Sequence, residues 1–144
     1  MNNSKQLGNL TELQCITYLY SLGCSVSIPY GNSDKYDLIL DVKGRLYKVQ
    51  VKHCAVYYDK NNVPTVVRLK SSWLAHNTTG YQQTKYLPGE FDLFATFYNN
   101  KCYLIPFESS SFVKSFRLQT AKNNQKNKVH MLEDYLADTM IETL

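Results

Sequence analysis

The chain has 144 residues, 44% of them hydrophobic, which suits one ordinary globular domain with a single core. No stretch approaches the roughly 18 consecutive apolar residues of a membrane span, and Met1-Asn2-Asn3-Ser4-Lys5-Gln6 carries no apolar signal region, so the expectation is a cytoplasmic protein without membrane association. The net charge of +4 conceals segregation: residues 42–89 hold eight Lys or Arg against Asp59 alone, whereas residues 129–144 hold four acids and no Lys or Arg.

In chain order, residues 4–22 read as a helix. Leu10, Leu13, Ile16 and Tyr20 recur at helical spacing, Leu19 and Leu22 widen the stripe, and Gly23 is a stop. Gly8 costs about 1 kcal/mol relative to Ala inside a helix, which draws the expected start toward Asn9. A strand over 24–28 ends at Pro29. The runs 36–40 and 47–52 are rich in β-formers and flank Lys43-Gly44, so a hairpin spans 35–53. Strands over 53–58 and 63–69 follow, turned by Asp59-Lys60-Asn61-Asn62. The first continues the strand before it, which predicts one long twisted ribbon. Ser71-Ser72 caps a short helix through Trp73, Leu74 and Ala75, and the rest up to residue 90 reads as loop. Strands over 91–98 and 101–106 are joined by Asn99-Asn100. A short helix or strand over 111–118 leads to a basic loop. Leu132, Leu136, Met140 and Leu144 recur every four residues and predict a helix over 129–143.

The hairpin carries the chemistry. If Lys43-Gly44 is a two-residue loop, Val42 pairs with Arg45 and counting outward sets Asp37 opposite Gln50. Gln50 and Lys52, two apart, share a face. A carboxylate, an amide oxygen and an ammonium thus gather at one spot. Oxygen ligands suit a hard divalent cation, and phosphodiester hydrolysis needs a cation beside the attacked phosphate. Glu12 shares a helix face with Cys15, Ile16 and Leu19, where a charge is costly unless paired or bound to metal. The alternative is a capping box from Asn9.

Glu12, Asp37 and Gln50-Val51-Lys52 together resemble the core of the PD-(D/E)XK nuclease superfamily, with Gln50 standing where an acid is usual. That departure is similar to the intron-encoded homing endonucleases of the superfamily. Gly23 with Val26, Pro29-Tyr30-Gly31, Phe91 to Tyr98 and Cys102 to Pro106 fit that subgroup and the related archaeal Holliday-junction resolvases. The resemblance covers about 5–107. It implies an α/β fold in which a restriction-endonuclease-like mixed sheet of about five strands is flanked by helices, with an extended β-ribbon for DNA contact. A single nuclease domain would span 1–144, with a basic loop and C-terminal helix over 108–144.

The resemblance further implies Mg²⁺ (or Mn²⁺) held by Asp37, Gln50, Glu12 and the Val51 carbonyl, with Lys52 orienting or deprotonating water or stabilising the transition state. The activity would be site-specific cleavage of double-stranded DNA. A junction resolvase, or a DNA-binding protein with a decayed nuclease core, is the alternative. Two cuts need two sites, hence a homodimer or homotetramer, with the 129–144 stripe as an assembly surface or a cover for the sheet. The basic block is interleaved with Tyr57, Tyr58, Trp73, Tyr81 and Tyr86, a pattern that suits a polyanion. Its expected DNA contacts are Lys43, Arg45, Lys60, Asn61, Arg68, Lys70, Gln82 and Lys85, with Asn62 and Gln83 as further base readers. Lys122, Lys126 and Lys128 suit phosphates. His53 points to the opposite face from Lys52 and reads as a second-site or structural residue rather than a catalytic one, and Asp92 as a buried pairing. Cys15, Cys24, Cys54 and Cys102 form no CxxC pair and read as reduced packing residues.

Overall fold

The computed structural model describes residues 3–31, 34–70, 72–77, 80–107, 113–119 and 130–144. Helix α1 spans Ser4–Ser21 and starts well before Asn9, because Asn3 and Gln6 form a capping box. The Asn3 side chain accepts from the Gln6 N–H at 2.8 Å and the Gln6 side chain accepts from the Asn3 N–H at 3.3 Å. That offsets the interior Gly8. At the other end, Gly23 at φ 92° donates to the Tyr20 carbonyl and Cys24 to that of Leu19, a Schellman closure. The core-facing stripe is the expected one in part, with Leu19 and Cys15 fully buried and Ile16 and Leu22 packed against the core. Thr11 is buried as well, while Leu10, Leu13 and Tyr20 lie exposed.

The central sheet has the order β1-β2-β3-β8-β9. Its members are β1 (Ser25–Ser27), β2 (Leu38–Val42), β3 (Arg45–Val51), β8 (Leu93–Tyr98) and β9 (Lys101–Pro106). β3 and β8 run parallel and the other pairs antiparallel, so the sheet is mixed. Val42 pairs with Arg45 as the sequence predicts. Lys43 (φ 52°) and Gly44 (φ 89°) both take the left-handed conformation of a tight hairpin, as do Asn99 (φ 51°) and Asn100 (φ 64°).

Alternation along the strands splits the core in two. Leu38, Leu40, Val49, Val51, Leu93, Ala95, Cys102 and Leu104 pack with Cys15 and Leu19 of α1. Phe94, Tyr103 and Ile105 point the other way, toward Val67, Leu69 and Phe116. Those three belong to a second sheet of order β10-β5-β4, built from β4 (Ala55–Tyr58), β5 (Pro64–Lys70) and β10 (Val113–Arg117). The segment 111–118, expected as helix or strand, is therefore strand where described.

Three expectations are corrected. β4 does not continue β3: the Lys52 N–H still donates to Ala95 at 2.9 Å, then the chain leaves the central sheet and joins the second. The segment after β5 is no short helix and loop but a hairpin of β6 (Ser72–Asn77) and β7 (Gly80–Lys85). Its register runs from Ser72↔Lys85 to Asn77↔Gly80, so much of the run read as loop is paired strand. Nor is the C-terminal segment one helix. A 3₁₀ turn over Leu132–Tyr135 and α2 (Ala137–Thr143) are separated by Leu136 at ψ 130°, which bridges to Tyr103. Leu132 enters one core and Ala137 and Met140 the other, so the leucines cover the sheet and the segment offers no separate assembly stripe. All four cysteines are free and buried, as expected. Among the described residues no helix is long and apolar enough to cross a membrane.

Candidate active site at the open end of the hairpin

Asp37 immediately precedes β2. Its N–H donates to the Val49 carbonyl at 2.8 Å, and its carboxylate accepts from the Val51 N–H at 2.8 Å. Backbone and side chain together bracket residue 50, which places Asp37 across from Gln50 at the end of the ladder, where Leu38 pairs with Val49. β3 then delivers Lys52 one step further along the same face.

The electrostatics are those of a crowded, half-buried cluster. Burial raises the Asp37 pKa against the opposing effects of the Val51 N–H and the Lys52 charge. Burial also raises Glu12, and the Asp37 charge adds to it, so Glu12 of α1 lies within electrostatic reach of Asp37. The capping-box alternative for Glu12 fails, since the N-cap is Asn3. Burial, helped by the Lys70 charge and opposed by Asp37, lowers Lys52 from 10.5 to about 8. The Gln50 amide nitrogen lies 3.5 Å from the Val51 carbonyl. Half a turn of that amide would set its oxygen beside the same carbonyl.

These donors fit a hard divalent cation. All are oxygens, and two carboxylates that burial pushes toward the neutral form, Glu12 also by the Asp37 charge, are what a bound cation would relieve. Among the described residues no three His, Cys, Asp or Glu side chains cluster at metal-ligand geometry, as expected where Gln50 takes a carboxylate's place.

The expected DNA contacts divide by position. Arg68 and Lys70 are exposed on β5, with the Arg68 guanidinium 4.6 Å from the Tyr57 ring centroid. Lys60, Asn61 and Asn62 lie at the β4–β5 tip, where the Asp59 carboxylate accepts from the N–H of Asn61 and of Val63. Lys43 and Arg45 sit at the opposite end of β3 from the cluster, with the length of the strand from Arg45 to Val51 between them, roughly 20 Å. Gln82, Gln83 and Lys85 are on β7, and their side chains lie outside the description, as do Lys122, Lys126 and Lys128 altogether.

His53 is structural in this geometry. Thr11 donates its hydroxyl to the Leu7 carbonyl at 2.8 Å, so His53 Nδ1 donates to that hydroxyl at 3.0 Å. This ties the chain beyond Lys52 to α1, one residue from Glu12. Asp92 makes the expected pairing, accepting from the Lys48 N–H at 2.8 Å, but is exposed rather than buried. Sequence reasoning missed Tyr86, whose ring centroid is 5.0 Å from Lys52 Nζ. Tyr86 follows β7, in a segment read as loop, and no spacing tied it to Lys52.

Comparison with known proteins fits this geometry. Residues 2–138 match the family model described as PD-(D/E)XK endonuclease. Among solved structures the chain is similar to a bacterial homing endonuclease, I-Ssp6803I, with a TM-score of 0.71 at 20% identity over 99% of this chain and 95% of that one. No curated protein sequence matches. At that identity the likeness is one of fold, and it bears out the restriction-endonuclease-like α/β architecture.

Proposed function

The chain belongs to the PD-(D/E)XK endonuclease family, and from that premise we propose that it is a Mg²⁺-dependent, site-specific double-strand DNA endonuclease of the intron-homing kind. The observation that carries this is the bracket Asp37 places around Gln50, which assembles Asp37, Gln50 and Lys52 beside Glu12. Asp37, Glu12, the Gln50 amide oxygen and the Val51 carbonyl would hold Mg²⁺ (Mn²⁺ can substitute), which when bound supplies positive charge at the attacked phosphodiester. Burial lowers the Lys52 pKa to about 8, and its ammonium would donate to the phosphate oxygen that gains charge as water attacks in line.

The exposed face of β4 and β5, with Tyr57, Arg68 and Lys70, supplies phosphate neutralisation and aromatic surface next to the cluster. The β4–β5 and β6–β7 hairpins have the form of ribbons that enter a major groove. That favours sequence readout over recognition of junction shape. Two cuts call for two sites, so we include a homodimer or homotetramer. The exposed α1 residues Leu10, Leu13 and Tyr20 are one apolar surface on which copies could meet.

The test is incubation with Mg²⁺, with and without EDTA, of a pooled library of intronless bacterial genes and of a synthetic four-way junction. Discrete cleavage within one gene, abolished by EDTA, is expected. Junction-only cleavage would make the protein a resolvase. DNA binding with neither substrate cut would indicate a non-catalytic binder.

A further inference from the structure

Lys52 and Tyr86 are brought together by the long excursion of the chain between β3 and β8. Tyr86 is only 3% exposed. Its ring meets Phe91 edge-to-face at 4.8 Å and Phe94 at 6.2 Å, and those two rings meet each other edge-to-face at 4.8 Å. The Lys52 ammonium lies 5.0 Å from the centroid of the ring it covers, within the range at which an aromatic face attracts a cation. A lysine stem has many rotamers and a compact point charge, so its aim must come from its surroundings.

We propose that Tyr86 is a positioning residue for Lys52: its ring, fixed by Phe91 and Phe94, keeps the ammonium on the side of the Asp37–Gln50 pair where the phosphate must sit. This rests on the endonuclease reading. The ring face does this work, not the hydroxyl, so Tyr86→Phe retains it and Tyr86→Leu loses it.

The experiment uses the full chain with ¹³C-labelled lysine, in the parent, Tyr86→Phe, Tyr86→Leu and Lys52→Met. The Lys52 ε-methylene resonance, identified by its loss in Lys52→Met, is expected upfield from ring current in the parent and Tyr86→Phe, and at its ordinary position in Tyr86→Leu. Single-turnover cleavage of whichever DNA the parent cuts is expected to slow roughly 3- to 30-fold in Tyr86→Leu. Its DNA affinity should change less than about twofold, and Tyr86→Phe should match the parent. If Tyr86→Leu does not fold, Tyr86→Met fills the slot without an aromatic face. An unshifted Lys52 resonance in the parent overturns the proposal. So does Tyr86→Leu or Tyr86→Met cleaving at the parent rate, or losing affinity as much as rate. If the parent cuts no DNA, the endonuclease reading fails separately, and the resonance alone decides whether the ring holds the lysine.

Discussion

The Val51 N–H donates to the Asp37 carboxylate at 2.8 Å, and this bond joins the two strands at the point where the cation would sit. Asn at position 37 keeps an acceptor for that N–H but removes the charge. Since burial raises the Asp37 pKa, the ionised group opposes folding at neutral pH, and its contribution to stability is lost as pH rises through the folded pKa. Asp37→Asn is therefore expected to raise the metal-free Tm while lowering cleavage by about 100-fold or more. Thermal unfolding and single-turnover rates measured on the same preparation check both signs.

Lys52 makes a second pair of signs. Its pKa falls from 10.5 to about 8 on folding, so the unfolded chain binds the extra proton between those values. The group's contribution to stability is present above the unfolded pKa and is lost as pH falls through about 8. Lys52→Met should thus raise the metal-free Tm at pH 7 and flatten the rise in stability between pH 8 and 10.5. For catalysis, a donor role predicts that cleavage falls as pH rises through the alkaline limb, whereas a general base would make it rise there. In the metal-free protein Glu12 and Asp37 should both titrate above the ordinary carboxylate range, because burial raises them, and added Mg²⁺ should bring them back down.

Gln50→Glu restores a third carboxylate. The Mg²⁺ concentration for half-maximal cleavage should fall about tenfold, and without metal the variant should be less stable, since it adds like charge beside Asp37 and Glu12. Gln50→Ala should raise the Mg²⁺ requirement. Metal titrations of cleavage, paired with Tm in EDTA, separate the two effects.

The basic residues are expected to differ by position. Arg68, stacked on Tyr57 at 4.6 Å, should contribute about one phosphate contact. Arg68→Ala should then reduce the slope of log affinity against log salt by about 0.9. Lys43→Ala and Arg45→Ala, at the far end of β3, should leave that slope unchanged. Fluorescence anisotropy with a DNA duplex across a salt series measures each slope.

What could be read without coordinates follows from how local each determinant is. The two-residue turn at Lys43-Gly44 set a register, and everything out to Asp37 and Lys52 follows by counting. The α1 helix was legible from its periodicity. Its buried face was legible only in part: Cys15 and Leu19 are buried as their spacing suggests, but Thr11 looks polar yet is buried with its hydroxyl bonded to Leu7, while Leu13 is left exposed. The β6–β7 hairpin hid in a polar stretch whose turn resembles any loop. The C-terminal leucine spacing misled because Leu132 and Met140 serve cores on opposite faces of one sheet. Tyr86 reaches Lys52 through tertiary packing alone, which no spacing encodes.

The most direct measurement is the single-turnover cleavage rate of the parent and Lys52→Met on the same duplex at pH 7 with saturating Mg²⁺, beside their affinities for that duplex in EDTA. A loss of about 100-fold or more in rate, with affinity within a few-fold, is the result the account predicts. Cleavage by Lys52→Met at the parent's rate would show that the Asp37–Gln50–Lys52 cluster is not where the phosphodiester is hydrolysed.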